Sequence, residues 1–425
     1  METSHCTIRL LLNYLRDKHM DNQRNWWQLS SIQIGGVICL PVIVIGQTLY
    51  QTYGFASSIA AILLGNAILL LLGLATTKMS CEKRKTTPLN ATEYFGETGV
   101  TFFALTMCVS LVGWFAIQLN MMSLSVFDLL ALDKNQALPG VLSNLMLGSL
   151  ITVAALYGIK SINFLSNLSL PLLIITLGYA FFTVEDAPPS APSVPLSFAG
   201  ISMVIALAIA FVIDLPTYYR HAKTSKDGFI SISIIFVLAL PILEIVGVYL
   251  AAGSSGGTIL DVLKRSNGNL WNLWVALFLI LAGWTTNNIN LYSGAVCLEP
   301  LLKIKSEKLR TLLFGGVGTF LSCFNFLNHL IIVLDVMGIF VASMGSVIIT
   351  RYLIEQVKKL PVTSNDYPCH FLAWMLGLAM GFSSLNGVSL TSIPVLDATI
   401  GSSLGTFFVL IQRKYSEKAN IAKLR

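Results

Sequence analysis

The chain has 425 residues, 55% of them hydrophobic and only 11% charged. A soluble globular surface draws on roughly 25% charged residues, so this composition excludes a soluble enzyme or binding module and describes a polytopic membrane protein. The net charge of +6 is a topology signal and not a nucleic-acid one, because nucleic-acid binders cluster their basic residues on one folded face.

Apolar runs able to cross a hydrocarbon core about 30 Å thick number twelve: residues 29–52, 56–77, 99–127, 138–158, 162–183, 197–219, 228–252, 270–298, 310–326, 328–351, 367–386 and 391–412. With both termini on one side, that side collects 24 of the 27 lysines and arginines, and the other holds Lys134, Lys264 and Arg265. Such a bias places both termini in the cytoplasm of a cell bounded by an inner membrane. Residues 1–28 are polar and basic, with 8–15 short and amphipathic, so no cleavable signal is read. That segment is expected to lie on the membrane surface with Trp26 and Trp27 as interfacial anchors. Seven scattered cysteines without CxxC pairing read as small apolar fillers. The five histidines sit near span ends or in tails and suggest no zinc or haem site.

Span 1 carries Gly35, Gly36, Pro41 and Gly46. A proline inside a helix frees the carbonyl four residues back and bends the axis. Span 1 is therefore either a kink healed by packing or a discontinuous helix that offers carbonyls to a cation. In span 3, VGWFAIQLNMM sets Trp114 and Gln118 four residues apart, on one face and one turn from each other. An indole is a flat stacking surface and a carboxamide an edge donor and acceptor, so the pair could hold a small planar heterocycle, or could pack and bond a neighbouring helix. Spans 4 and 5 offer little beyond Asn163, Asn167 and Pro171, and VEDAPPSAPSVP reads as a stiff external connector.

Span 6 is expected to repeat the break of span 1, with Asp214 and Pro216 ahead of Tyr218, Tyr219 and the basic RHAK. Asp214 reads as a capped or paired carboxylate. Span 7 holds Pro241 and Glu244 well inside its apolar run, and an intramembrane carboxylate is a functional candidate because its charged form is costly there. Glu244 is either protonated and inert or a coupling proton site. Span 8 contains LAGWTTNNINLY at 281–292, two threonines and three asparagines in one helix. Lipid does not tolerate such a run, so it must line a protein-enclosed cavity. Asp335 in span 10 and Asp397 in span 12 are weaker acidic candidates.

Spans 1–5 and 6–10 cover similar lengths, and five is odd, so the halves insert with opposite orientation. That pattern describes an inverted repeat with its site at the midplane. The division is then an N-terminal cytoplasmic segment (1–28), a first five-helix repeat (29–183), an external linker (184–196), a second, inverted repeat (197–351), spans 11 and 12 (352–412) and a cytoplasmic tail (413–425).

Particular stretches carry a resemblance. AILLGN in span 2, VGWF in span 3, DLPTYYRHAK at the end of span 6, WTTNNINLY in span 8 and GSVIITRYL closing span 10 resemble the nucleobase:cation symporter-1 family, and within it the bacterial cytosine permeases. The resemblance implies an all-α, LeuT-like fold of ten core helices in two inverted repeats plus two more, and cation-coupled alternating-access symport of a nucleobase-like ring. By the family's pattern a sodium ion would take the hydroxyls of Thr285 and Thr286, the carbonyl of Ala282 and the span 1 carbonyls of Gly35 and Ile38. Trp114 matches the stacking tryptophan, Gln118 the glutamine of hydantoin-type relatives, and Asn287 the amide presented to the base. The permeases carry their glutamine where this chain has Leu111. Their Ser-Phe pair in span 6 is replaced by Val204 and Ile205, so either Phe211 substitutes or the ring rests on aliphatic groups. The paired prolines of span 10 are replaced by Ala342 and Ser343, and Glu244 has no acidic counterpart.

The expected function is cation-coupled uptake of a cytosine-like or related heterocycle, with no cofactor beyond sodium or a proton as coupling ion. Two alternatives stay open: the same fold carrying an amino acid or amine, and a non-transporting receptor descended from a transporter. An intramembrane enzyme is not expected, because no nucleophile or metal set such as paired aspartates or HExxH is present.

Overall fold

The computed structural model describes residues 23–129, 137–156, 171, 175, 178, 196–253, 268–324 and 330–423, with side chains described throughout these except at 128–129, 137, 268–270 and 409–423. The 8–15 segment, nearly all of span 5, Lys134, Lys264, Arg265 and most of the linker at 184–196 lie outside these residues. The other eleven expected spans are helical. Seven described helices are long and apolar enough to cross a membrane, and a bent pair makes an eighth.

That bent pair is span 1. Helix α1 (Trp26–Val37) and α2 (Leu40–Tyr53) meet at 61°. The first half closes where Ile38 N donates to Ile34 O at 2.9 Å. Ile38 (ψ 88°) and Cys39 (φ −146°, ψ 158°) then leave the helical region, and Pro41, second in α2, has no amide to carry the ladder across. The carbonyls that follow Ile34 thus lose their amides four residues on. The discontinuous alternative holds.

After α3 (Phe55–Lys83), α4 (Thr87–Leu129) runs through span 3 with a kink at Gly96, whose φ of +69° suits glycine. Helix α5 is Ala137–Ala155 and α6 is Phe198–Tyr219. The break expected in span 6 is not there. Residues 201–213 contain neither glycine nor proline, so nothing interrupts the ladder, and Pro216 falls in the last turn, where it spares the body of the helix.

Span 7 is α7 (Ser225–Ser233), a π-helical turn (Ile234–Ala239) and α8 (Leu240–Ala252). Pro241 is second in α8, and Leu240 N reaches back to Ile235 O. The wider turn absorbs the proline's missing amide without a break. Span 8 is α9 (Gly268–Leu302), span 9 α10 (Glu307–Leu321), span 10 α11 (Leu330–Lys358), and the last two are α12 (Tyr367–Leu385) and α13 (Pro394–Lys423).

Packing follows the order of an inverted repeat. Helix α3 packs on α6 and α2 on α8, while α4 packs on α9 and α5 on α10. Exchanging spans 1 to 5 for 6 to 10 maps each of these pairs onto another or onto itself. The α2–α8 seam is the tightest. A methyl on Gly46 would strike the carbonyl oxygen of Glu244, and one on Gly247 the carbonyl oxygen of Ile43, so the two backbones touch directly, as small residues allow in membranes. Helices α12 and α13 pack on each other, and α13 also covers α11.

Two buried charges serve the frame. Arg351 is fully buried, donates to Leu360 O at 3.0 Å and lies 3.8 Å from Asp366. Asp397, in the first turn of α13, accepts from the amides of Leu390 and Thr391, both at 3.0 Å, and so ties the segment before the helix to it. At the other end of the chain, Asn25 caps α1 in a box with Gln28. There the main chain of Arg24 pairs with the α6–α7 connection, through Arg24 N to His221 O and Lys223 N to Arg24 O, both 2.7 Å. Trp26 N adds a bond to Asp227 Oδ1 at 3.0 Å. Trp26 and Trp27 are exposed.

Candidate functional site

A cavity opens where the broken span meets α4, α6 and α9. The ends of α1 and α2 supply Gly36, Cys39 and Val42, α4 supplies Leu111 and Trp114, and α6 supplies Leu207, Ala208 and Phe211. Leu240 of α8 and Thr286, Ile289 and Asn290 of α9 complete the wall. Phe211 therefore stands at the cavity with Trp114, its ring held edge-on by Phe236 at 6.0 Å between centroids. The aliphatic pair Val204 and Ile205 is buried elsewhere in α6, away from the cavity.

The broken span and α9 cross at two points. A methyl on Gly36 would strike Ile289, and three residues further on the Cys39 thiol reaches Thr286 and Gln118. On α9 the same step runs backwards, from 289 to 286, so the two segments lie antiparallel. Thr285 Oγ1 and Thr286 Oγ1 both donate to Ala282 O, at 2.8 and 3.1 Å. Two hydroxyl oxygens and a carbonyl thus cluster on α9, with Thr286 beside Cys39 of the break, a set of neutral oxygens of the kind that holds a hard monovalent cation. Thr286 also borders the cavity; Thr285, Ala282, Gly35 and Ile38 do not.

The amides divide differently from the sequence expectation. Asn287 is fully buried, donates to Phe115 O at 3.2 Å and accepts from Asn290 Nδ2 at 3.2 Å. Asn290 is the amide on the wall, and Asn287 stands behind it. Gln118 is 1% exposed and sits behind Cys39, with its Nε2 unpartnered.

Asp214, Tyr218 and Ser293 form one end of the cavity. Asp214 accepts from Thr87 Oγ1 at 2.9 Å, from Thr217 Oγ1 at 2.7 Å and from Ser293 Oγ. The Tyr218 hydroxyl lies 2.8 Å from Ser293 Oγ and 3.0 Å from Ile289 O. Tyr218 packs on Tyr292 with centroids 5.6 Å apart, and Arg220 donates to the Tyr292 hydroxyl at 3.3 Å. A carboxylate can only accept, and here three hydroxyls meet it, so this end is a bonded floor between α4, α6 and α9. Thr87, Tyr218 and Ser293 are the residues that sequence reasoning left without a role. Tyr218 lies in a motif that the resemblance already marked.

Glu244 does not border the cavity; it is buried one turn behind Leu240. Asp335 is half-buried on α11 and does not border it either. Among the described residues no group of three or more histidine, cysteine or acidic side chains could hold a metal ion.

No protein-family model matches the chain. It is similar to the cytosine permease of Escherichia coli strain K12, 25% identical over 395 residues that span 87% of this chain and 90% of the relative. The cytosine permeases of Escherichia coli O6:H1 and O157:H7 match to the same extent. Among solved structures it is similar to Mhp1, a nucleobase-cation-symport-1 family transporter, in a closed conformation with bromovinylhydantoin bound. The TM-score is 0.75 at 17% identity, over 92% of this chain and 93% of that one. A Na+-coupled sialic acid symporter in its substrate-bound outward-open state aligns with a TM-score of 0.69 at 13% identity, over 92% and 91%. The fold is therefore LeuT-like, with two inverted five-helix repeats and two further helices.

Proposed function

We propose that this chain, which belongs to the nucleobase:cation symporter-1 family, is a secondary active transporter that carries a nucleobase or related small planar heterocycle together with a cation by alternating access. It is a multi-pass membrane protein and not an enzyme. The observation that carries this reading is the meeting of two features at one helix break. One is a cavity faced by Trp114 and Phe211, and the other is the oxygen cluster of Ala282, Thr285 and Thr286 beside it.

In this reading the ring stacks against Trp114 with Phe211 opposite, and Asn290 meets its polar edge, aligned from behind by Asn287. Gln118 reaches the site through the Cys39 side. The coupling ion is sodium, taken between Ala282, Thr285 and Thr286 on α9 and the freed carbonyls of Gly35 and Ile38 on span 1. Thr286 is the shared member, bordering the cavity and bonded to Ala282, so filling one site orders a wall of the other. A ligand shifts the cycle only through its preference for one conformation, and a shared wall gives both ligands a preference for the same one. Both termini lie in the cytoplasm and transport runs inward across the cytoplasmic membrane.

The test is binding of cytosine to the purified protein with and without sodium, in the wild type and in Thr286→Ala. Sodium is expected to raise wild-type affinity about tenfold, the scale of a coupling free energy of 1–3 kcal/mol, and to do nothing for the variant. If affinity ignores sodium in both, the ion assignment is wrong. If cells expressing the protein accumulate no purine, pyrimidine or hydantoin in a saturable, gradient-dependent way, the transport reading is wrong.

A further inference from the structure

Behind the cavity wall lies a second buried polar site that the reading above leaves unused. Leu240 and Val42 border the cavity, and one turn along the same helices, on the same faces, come Glu244 and Gly46. Glu244 is 1% exposed, as is Asn66 of α3. Asn66 Nδ2 donates to Glu244 Oε2 at 2.6 Å and to Ile62 O at 2.9 Å. That uses both donors of the amide. Its acceptor, Asn66 Oδ1, is buried without a partner.

We propose that Glu244 and Asn66 form a proton-binding site that exchanges with the water of the cavity. An ionised carboxylate has no donor to give, so it would leave Asn66 Oδ1 orphaned, at a cost of about 1–3 kcal/mol for one buried acceptor. A carboxylic acid supplies the missing O–H, and acid and amide then satisfy each other in both directions. Among the described residues Glu244 makes no ion pair, and Asn66 is its hydrogen-bond partner.

The elements packed on α8 are α2, α3 and the π-helical turn. Their titratable groups are Tyr50 and Tyr53 on α2 and Lys78, Cys81, Glu82 and Lys83 on α3, while the π-helical turn has none and α8 itself adds Tyr249. Lys78 is the nearest of the α3 charges in sequence, twelve residues beyond Asn66, or about 18 Å along the helix at 1.5 Å per residue.

Loading is a plain proton transfer. A hydronium that passes from the cavity beyond Leu240 gives its proton to the Glu244 carboxylate and leaves as water, and release returns the proton to water. The main-chain oxygen of Glu244 abuts Gly46, so a charge appearing at this residue acts at the seam between α8 and the second half of span 1. The site rests on its place behind the wall and not on which heterocycle the cavity takes.

The experiment is infrared spectroscopy of the purified full chain in lipid nanodiscs, with no substrate, as pH is raised. The wild type is expected to show a carboxylic-acid carbonyl band that disappears with rising pH. Glu244→Gln, whose amide can still exchange both bonds with Asn66, should lack that band completely at every pH. Asn66→Ala keeps the carboxyl but removes its partner, and should shift the band's frequency. A wild-type band that persists at every pH, a titrating band that survives at the same frequency and amplitude in Glu244→Gln, or a band blind to Asn66→Ala would each overturn the proposal. Because no substrate is present, a positive band alongside absent uptake of every purine, pyrimidine and hydantoin would fault the transport reading and leave the proton site standing.

Discussion

The first helices of the two repeats contain a proline each, yet one is broken and the other is not. Span 1 bends by 61° between α1 and α2, whereas α6 runs unbroken from Phe198 to Tyr219. The difference is where the proline falls. Pro41 follows two residues in non-helical conformation and stands near the start of a new helix, in mid-span. Pro216 stands in a last turn, where its missing amide touches only the end of the ladder. A proline thus terminates what is already ending; it breaks a span only where neighbouring residues accept an extended backbone. Span 1 thus meets the cavity at its break, through Gly36, Cys39 and Val42, whereas α6 meets it as an uninterrupted aliphatic helix that offers Phe211.

Four substitutions probe this contrast. The largest effect is expected from Ala208→Pro, which puts the break where α6 lacks one. It should cost about 3 kcal/mol or more and appear as a strongly lowered thermal unfolding midpoint in detergent; an unchanged midpoint would mean that α6 tolerates interruption. Next come the rings, one from α4 and one from the unbroken helix. Trp114→Ala should weaken cytosine binding about tenfold and Phe211→Leu about threefold, in line with about 0.5–1.5 kcal/mol per aromatic pair beyond buried area. Equal affinity across wild type and both variants would remove the stacking assignment. The smallest is expected for Pro41→Ala, below about 1 kcal/mol. The distance between spin labels at the exposed positions Trp27 and Thr52 should stay as in the wild type, and a lengthened distance would show that the proline alone makes the bend.

The sequence carried the frame of the molecule because lipid imposes one rule, runs of apolar residues of fixed length, and eleven of twelve such runs appear as helices. The polar stretch of span 8 was legible for the same reason: Thr285 to Asn290 could survive only against protein. Which amide faces inward was not legible. Asn287 and Asn290 are three residues apart and share a helix face, and the choice is made by Phe115 O of α4, which captures Asn287. The floor was hidden for a different reason. Its hydroxyls reach Asp214 from Thr87, 127 residues away, and from Ser293, 79 residues away. No local spacing records such a meeting. The missing break of α6 was misread because a proline was weighed without its position in the helix.

The pairing of Arg24 with residues 221 and 223 has an energetic consequence. It is made by main-chain atoms, as is the donor of the Trp26 bond, so side-chain changes at 24, 221 or 223 leave the pairing atoms in place. It acts as a clasp on the loose end of α1. Each bond contributes a net of about 0.5–1.5 kcal/mol, so undoing all three costs a few kcal/mol. These three bonds add to the burial of Leu29 and Ile32 in holding the start of α1. The end of α1 is thus tied to the connection that begins just past Tyr218 of the floor.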